Sequence, residues 1–96
     1  MTFEPSRERR LGAALAAAFP GATVAVRDDS HLHAGHAGAR PGGETHYGVR
    51  VVWAGFEGQN RVARQRAVNA AVAAEFTGGL HALAIEARTP AEAAAG

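Results

Sequence analysis

Tyr47-Gly-Val-Arg-Val-Val-Trp53, Ala54-Gly-Phe-Glu-Gly-Gln59, a helical run from Arg61 to about Phe76, and Leu80-His-Ala-Leu-Ala-Ile-Glu-Ala-Arg88 follow one another without a gap. This order decides the fold. In the first segment Tyr47, Val49, Val51 and Trp53 alternate onto one face while Arg50 points away, the period of a half-buried strand. The second segment is a turn. Asn60 is a good N-cap for the helix that follows, and Val62, Ala63, Arg66, Ala67, Ala70, Ala71 and Ala74 are spaced for close contact with a sheet. Thr77-Gly78-Gly79 ends the helix. Two strands joined by a helical crossover are parallel neighbours.

Working outward, Ser6 caps a first helix over Arg7 to Phe19, with Leu11, Ala14, Leu15, Ala18 and Phe19 on its apolar side and Pro20-Gly21 as its stop. Ala22 to Arg27 is a short strand in which Val24 and Val26 share a face. Asp28 to Thr45 is a Gly/Pro/His loop, and loops beyond about 12–15 residues are usually functional or disordered. Thr89-Pro90-Ala-Glu92 starts a short terminal helix with a capping box. The order is α-β-β-α-β in an α+β domain with a mixed three-stranded sheet. The whole chain, 1–96, reads as one domain with its core at about 7–90 and a short helix or tail at 90–96.

Four of the five histidines, His31, His33, His36 and His46, lie in or beside that loop, and there is no cysteine. Imidazole is the commonest metal ligand, and a chain without thiolates holds no iron–sulfur cluster by thiolates of its own. The parallel crossover brings the start of the third strand, and so His81, to the end of the sheet where the loop closes. Alternation puts His81 with Leu83 and Ile85 and gives His46 the parity opposite to Tyr47. His46 and His81 are therefore expected on opposite sides of the sheet. That favours His33 or His36 as the neighbour of His81.

The net charge of +1 gives no general drive toward nucleic acid. No apolar run approaches the roughly 20 residues of a membrane span. The first ten residues do not read as a signal peptide, and the absence of disulfides fits the cytoplasm. Gly55-Phe-Glu-Gly58 has the spacing of a GxxG clamp, but Glu57 sets a negative charge where phosphate would lie, so Phe56 reads as a core anchor. Arg61, Arg64 and Arg66 form a small basic cluster, read as a solvated helix surface or, alternatively, a contact to nucleic acid or to a partner protein. Ser30 beside histidines lacks the oriented third group of a triad, and the chain reads as a non-enzyme.

Asp28-Asp-Ser-His-Leu-His33, Gly42-Gly-Glu-Thr-His46-Tyr47, Phe56-Glu-Gly58, Arg64-Gln-Arg66, His81-Ala-Leu-Ala-Ile85 and Arg88-Thr-Pro90 together resemble the BolA family in order and spacing, over roughly Arg7 to Pro90. The resemblance implies a small class II KH-like fold, α-β-β-α-(α)-β, with the helices packed on one face. It also implies partnership with a monothiol glutaredoxin of the CGFS type and a shared [2Fe–2S] cluster, to which glutaredoxin and glutathione supply two thiolates. On that pattern the metal ligands of this chain are His81 and a loop residue matched best by His33, with His36, His46 and His31 as alternatives. His46 matches the family's strand-two histidine. Gln65 stands where the family usually has a histidine. No cofactor is expected on the isolated chain, which is expected to be a monomer or weak homodimer. A DNA-binding regulator and a simple divalent-metal binder through the loop are the alternative functions.

Overall fold

A computed structural model describes residues 6–29 and 46–95. The elements are α1 (Arg7–Ala18), β1 (Thr23–Asp28), β2 (His46–Val52), a 3-10 turn (Ala54–Phe56), α2 (Arg61–Ala71), α3 (Ala73–Thr77), β3 (Ala82–Arg88) and α4 (Pro90–Ala95). The sheet order is β1-β2-β3. β1 pairs antiparallel with β2, Val26 opposite Val49, and β2 pairs parallel with β3, Val49 opposite Ile85. The α+β class, the mixed sheet and the helices on one face match the sequence-based expectation. No helix among the described residues is long and apolar enough to cross a membrane.

The local signals act where the sequence places them. The Ser6 hydroxyl accepts from the Arg9 amide and the Asn60 carboxamide from the Ala63 amide, each satisfying an amide that the first helical turn leaves without a partner. Thr89 and Glu92 bond each other's backbone amides, closing a capping box on α4. The core lies between α1, α2 and one face of the sheet. Leu11, Leu15, Phe19, Tyr47, Val49, Val51, Phe56, Val68, Val72 and Leu80 form it. Phe19, Trp53 and Phe56 pack edge-on and tilted at 5.1–5.3 Å between ring centroids. The Trp53 indole donates to the Pro20 carbonyl at 2.9 Å.

The inner face of α2 differs from the expectation. Val68 and Val72 are buried and Arg64, Gln65, Ala67 and Ala71 half-buried, while Val62, Ala63, Arg66, Ala70 and Ala74 are exposed. Of the residues whose spacing predicts contact with the sheet, only Ala67 and Ala71 turn inward. Val68 and Val72 bury more apolar area, and that sets the rotation of the helix. The expected single helix is also broken. Val72 leaves helical geometry at φ −113°, ψ 17° while its side chain stays in the core, and α3 begins after it. The break turns Glu75 toward α1, where its carboxylate accepts from Arg7 and Arg10 at 3.0 Å each. Arg7 Nη2 also donates to the Gly78 carbonyl at 2.8 Å.

Candidate functional site

The two faces of the sheet are unlike. The face turned from the helices carries the rows Thr23/Val52/Arg88, Ala25/Arg50/Glu86, Arg27/Gly48/Ala84 and, at the rim, His46/Ala82. His46 thus has the parity expected of it. At this rim the His46 and His81 rings stand nearly parallel, with centroids 6.0 Å apart and 13° between their planes.

That arrangement corrects the expectation that the two histidines face opposite sides. The expected third strand began at Leu80. In the structure it begins at Ala82, so His81 precedes the ladder and its alternation does not bind the side chain. The chain reaches that point from α3 through a tight turn. Gly79 takes φ 117°, where a side chain is strained, and the Leu80 amide returns to the Glu75 carbonyl at 2.9 Å. Leu80 is buried and His81 exposed. Leu80 is the anchor, and His81 swings outward beside His46.

His31, His33 and His36 lie outside the described residues, as does most of the loop expected at Asp28 to Thr45. Both described ends of that loop meet the rim. The Asp29 amide donates to the His46 carbonyl at 2.8 Å. Next to it, Arg27 forms a two-pronged ion pair with Asp29 at 2.7 and 2.9 Å, and the carboxylate raises the guanidinium's pKa. Arg27 lies over Gly48, where a Cβ would overlap the guanidinium. Sequence reasoning passed over Arg27. The available signal was a glycine in mid-strand, which marks a close approach by another group. Farther along the same face, Glu86 accepts from Arg50 at 2.8 Å and from Arg88 at 2.7 Å, and these bonds lower its pKa.

The basic cluster does not form one surface. Arg64 is turned inward. It bonds the Gln59 and Ala87 carbonyls, pairs with Glu92 at 2.6 Å, and its guanidinium carbon lies 5.7 Å from the centre of the Phe56 ring. Its bond, with the Thr89 amide, holds the Glu92 carboxyl down at about 2. Arg61 and Arg66 are exposed, with Arg66 about 200° around the helix from Arg64 at about 100° per residue. Gln65, where the family usually has histidine, donates to the Ile85 carbonyl at 3.2 Å. Arg64 and Gln65 thus satisfy two outward carbonyls of β3, an edge strand. Phe56 is fully buried, as expected of the turn that contains Gly55 and Gly58.

Among the described residues no three histidines, cysteines or carboxylates gather into a metal-holding group. What the rim offers is two imidazoles side by side, His81 exposed and His46 half-buried, adjoining a loop whose sequence carries three more.

Comparison with known proteins places this architecture. A family model described as BolA-like protein matches residues 15–92. The chloroplastic protein BOLA1 of Arabidopsis thaliana is 46% identical over 71 residues, covering 72% of this chain and 44% of the relative. BolA-like protein 1 of Homo sapiens is 49% identical over 67 residues, covering 70% and 46%. The chain therefore spans less than half the length of these two relatives. Among solved structures, the BolA domain of SufE1 from Arabidopsis thaliana superposes with a TM-score of 0.80 at 38% identity, over 94% of this chain and 99% of that domain. With the family model covering most of its length and its fold shared with that domain, the chain belongs to the BolA-like family.

Proposed function

We propose that this chain is a non-catalytic adaptor in iron–sulfur metabolism, which docks on a monothiol glutaredoxin and lends two histidines to a shared [2Fe–2S] cluster. The observation that carries the reading is the pair of rings at the sheet rim, His46 and His81, 6.0 Å apart. His81 is the first ligand. His46 is the second ligand favoured by geometry, and His33, with His36 and His31 behind it, is the one favoured by the family pattern. The likeness to a domain of a SufE protein supports a role tied to iron–sulfur clusters.

The donor set fits a shared site. Two imidazoles leave a four-ligand site half complete, and the chain has no cysteine to finish it. The missing thiolates come from outside, from the glutaredoxin and its glutathione. Replacing thiolate by imidazole removes negative charge from the iron it binds, which raises the reduction potential in Rieske centres. An imidazole ligates only when neutral, so acid competes for both histidines. The cluster supplies electron-transfer chemistry. The chain's own part is to hold His81 outward on the Leu80 anchor, and to set His46 beside it at the start of β2.

The test is reconstitution of the chain with a CGFS glutaredoxin, glutathione, iron and sulfide, followed by visible absorption and circular dichroism. A heterodimer spectrum distinct from that of the glutaredoxin alone, changed by His81→Ala, is expected. Absence of a complex, or a spectrum indifferent to His81→Ala, overturns the reading.

A further inference from the structure

A second site lies away from the histidines. An open cleft of about 500 Å³ runs between α2, the outer edge of β3 and α4. Gln59, Arg61, Arg64, Gln65 and Arg88 line it as donors, and Glu92 of α4 projects into it. We propose that this cleft docks an acidic peptide segment of a partner protein, whose carboxylates take the place that Glu92 holds on Arg64.

The resident carboxylate shows what chemistry the cleft accepts. Glu92 meets Arg64 Nη1 at 2.6 Å and Nη2 at 3.3 Å, the two-pronged geometry in which guanidinium recognises carboxylate. Arg64 cannot swing away to meet a ligand, because the Gln59 and Ala87 carbonyls hold it. It is a preorganised receptor. Its occupant also caps α4, accepting from the Thr89 amide at 2.8 Å, but the element that carries it is small and open to solvent. α4 is six residues long with none buried, and the Glu92 side chain is 45% exposed. Glu92 stays ionised far below neutrality, so protonation does not empty the site, whereas a competing carboxylate does. Arg61 is exposed at the mouth of the cleft and has no ion pair among the described residues, so it is ready for a second acidic side chain.

Charge favours a peptide over a nucleic acid. Arg61, Arg64 and Arg88 face Glu86 and Glu92 here, so the cleft carries one net positive charge. Arg66, which would extend a basic track, points away around α2. A phosphate backbone needs a continuous run of cations, whereas one or two carboxylates need only these.

Fluorescence polarisation with labelled hexaglutamate, hexaglutamine and a short DNA duplex tests the proposal on the full chain. Hexaglutamate is expected to bind, more weakly as salt rises, and hexaglutamine not to bind. Glu92→Gln should tighten hexaglutamate by about two- to five-fold, the range expected from removing a competing exposed ion pair, and Arg61→Glu should weaken it by at least as much. Equal binding of the two peptides overturns the proposal. So does unchanged affinity in a Glu92→Gln chain whose circular dichroism is that of the wild type, and so does DNA displacing hexaglutamate from an Arg61-dependent site. If Glu92→Gln does not fold, Arg61→Glu decides, since the Arg61 side chain bonds nothing among the described residues, and unchanged affinity there overturns the proposal.

Discussion

Replacing His46 asks which imidazole stands with His81 in the heterodimer proposed above. A metal–imidazole bond of ~2.0–2.1 Å puts the ring centroid ~3.2 Å from the metal. Two such rings on one tetrahedral metal have their centroids ~5.2 Å apart. The rings of His46 and His81 are 6.0 Å apart, so ligation asks for a closure of only ~0.8 Å with rotation about soft terminal torsions. His81 can supply the movement, because it stands outside the β3 ladder. Loss of an outer-shell partner alone typically lowers metal affinity about 10–100-fold, so loss of a ligand should shorten cluster lifetime at least about tenfold. The assay is the decay of visible circular dichroism in the glutaredoxin heterodimer for His46→Ala, His33→Ala and His81→Ala. The geometry predicts that His46→Ala behaves like His81→Ala, and that His33→Ala keeps the wild-type band shape. A wild-type spectrum and lifetime in His46→Ala, with both changed in His33→Ala, would refute the ring-pair argument and assign the second ligand to the loop.

Three further outcomes follow from the packing. Glu75→Ala removes the shared acceptor of Arg7 and Arg10. Arg7 is 8% exposed and loses an acceptor in a nearly dry site, whereas Arg10, at 39%, is largely screened, giving a cost of about 1–3 kcal/mol and a melting temperature lower by roughly 5–15 °C. Bonds from Arg10 and Arg7 hold the Glu75 carboxyl below its ordinary 4.5. The unfolded chain therefore takes up this proton first, and the stabilisation is full above that ordinary value and lost as pH falls through the lower folded one. The wild-type and Glu75→Ala melting temperatures should converge in acid, and a gap that stays constant from neutral pH down through that window would contradict the assignment. Gly55→Ala sets a Cβ against the Trp53 indole, which Phe19, Phe56 and the Pro20 carbonyl hold in place; overpacking should cost about 1–3 kcal/mol, seen as a lower urea midpoint with altered tryptophan fluorescence.

Most of the fold was legible because its signals are local. Ser6, Asn60 and Thr89–Glu92 cap where they stand, Phe56 anchors the turn, and the alternation of Tyr47, Val49 and Val51 gives the buried face of β2 directly. Parallel pairing of β2 with β3 followed from the helix between them. The rotation of α2 was not legible from the same kind of signal. Its alanines are compatible with contact but do not demand it, and burial of Val68 and Val72 outweighs them. The inward turn of Arg64 follows from that rotation, together with an acceptor, Glu92, that is 28 residues away. No spacing rule reports a contact at such a separation.

The candidate site was legible in its parts and misread in one step, and that step is where it is built. A histidine inside β3 at position 81 would share the face of Leu83 and Ile85 and point into the core side of the sheet. It stands beside His46 because the strand starts at Ala82, two residues later than the alternation predicts. That delay has a physical source in the preceding turn. Gly79 takes a backbone angle that side chains avoid, the Leu80 amide is spent on the Glu75 carbonyl, and burial of Leu80 fixes the chain before the ladder begins. Leu80→Ala should therefore disturb the histidine pair as well as the core. Loss of the buried side chain costs about 2–5 kcal/mol, and His81 loses the anchor that turns it outward. Nuclear magnetic resonance of the imidazole side chains separates the two effects. A folded Leu80→Ala protein whose His46 and His81 signals match those of the wild type would show that Leu80 serves the core alone. Matched displacement of both signals would show that the anchor also sets the pair.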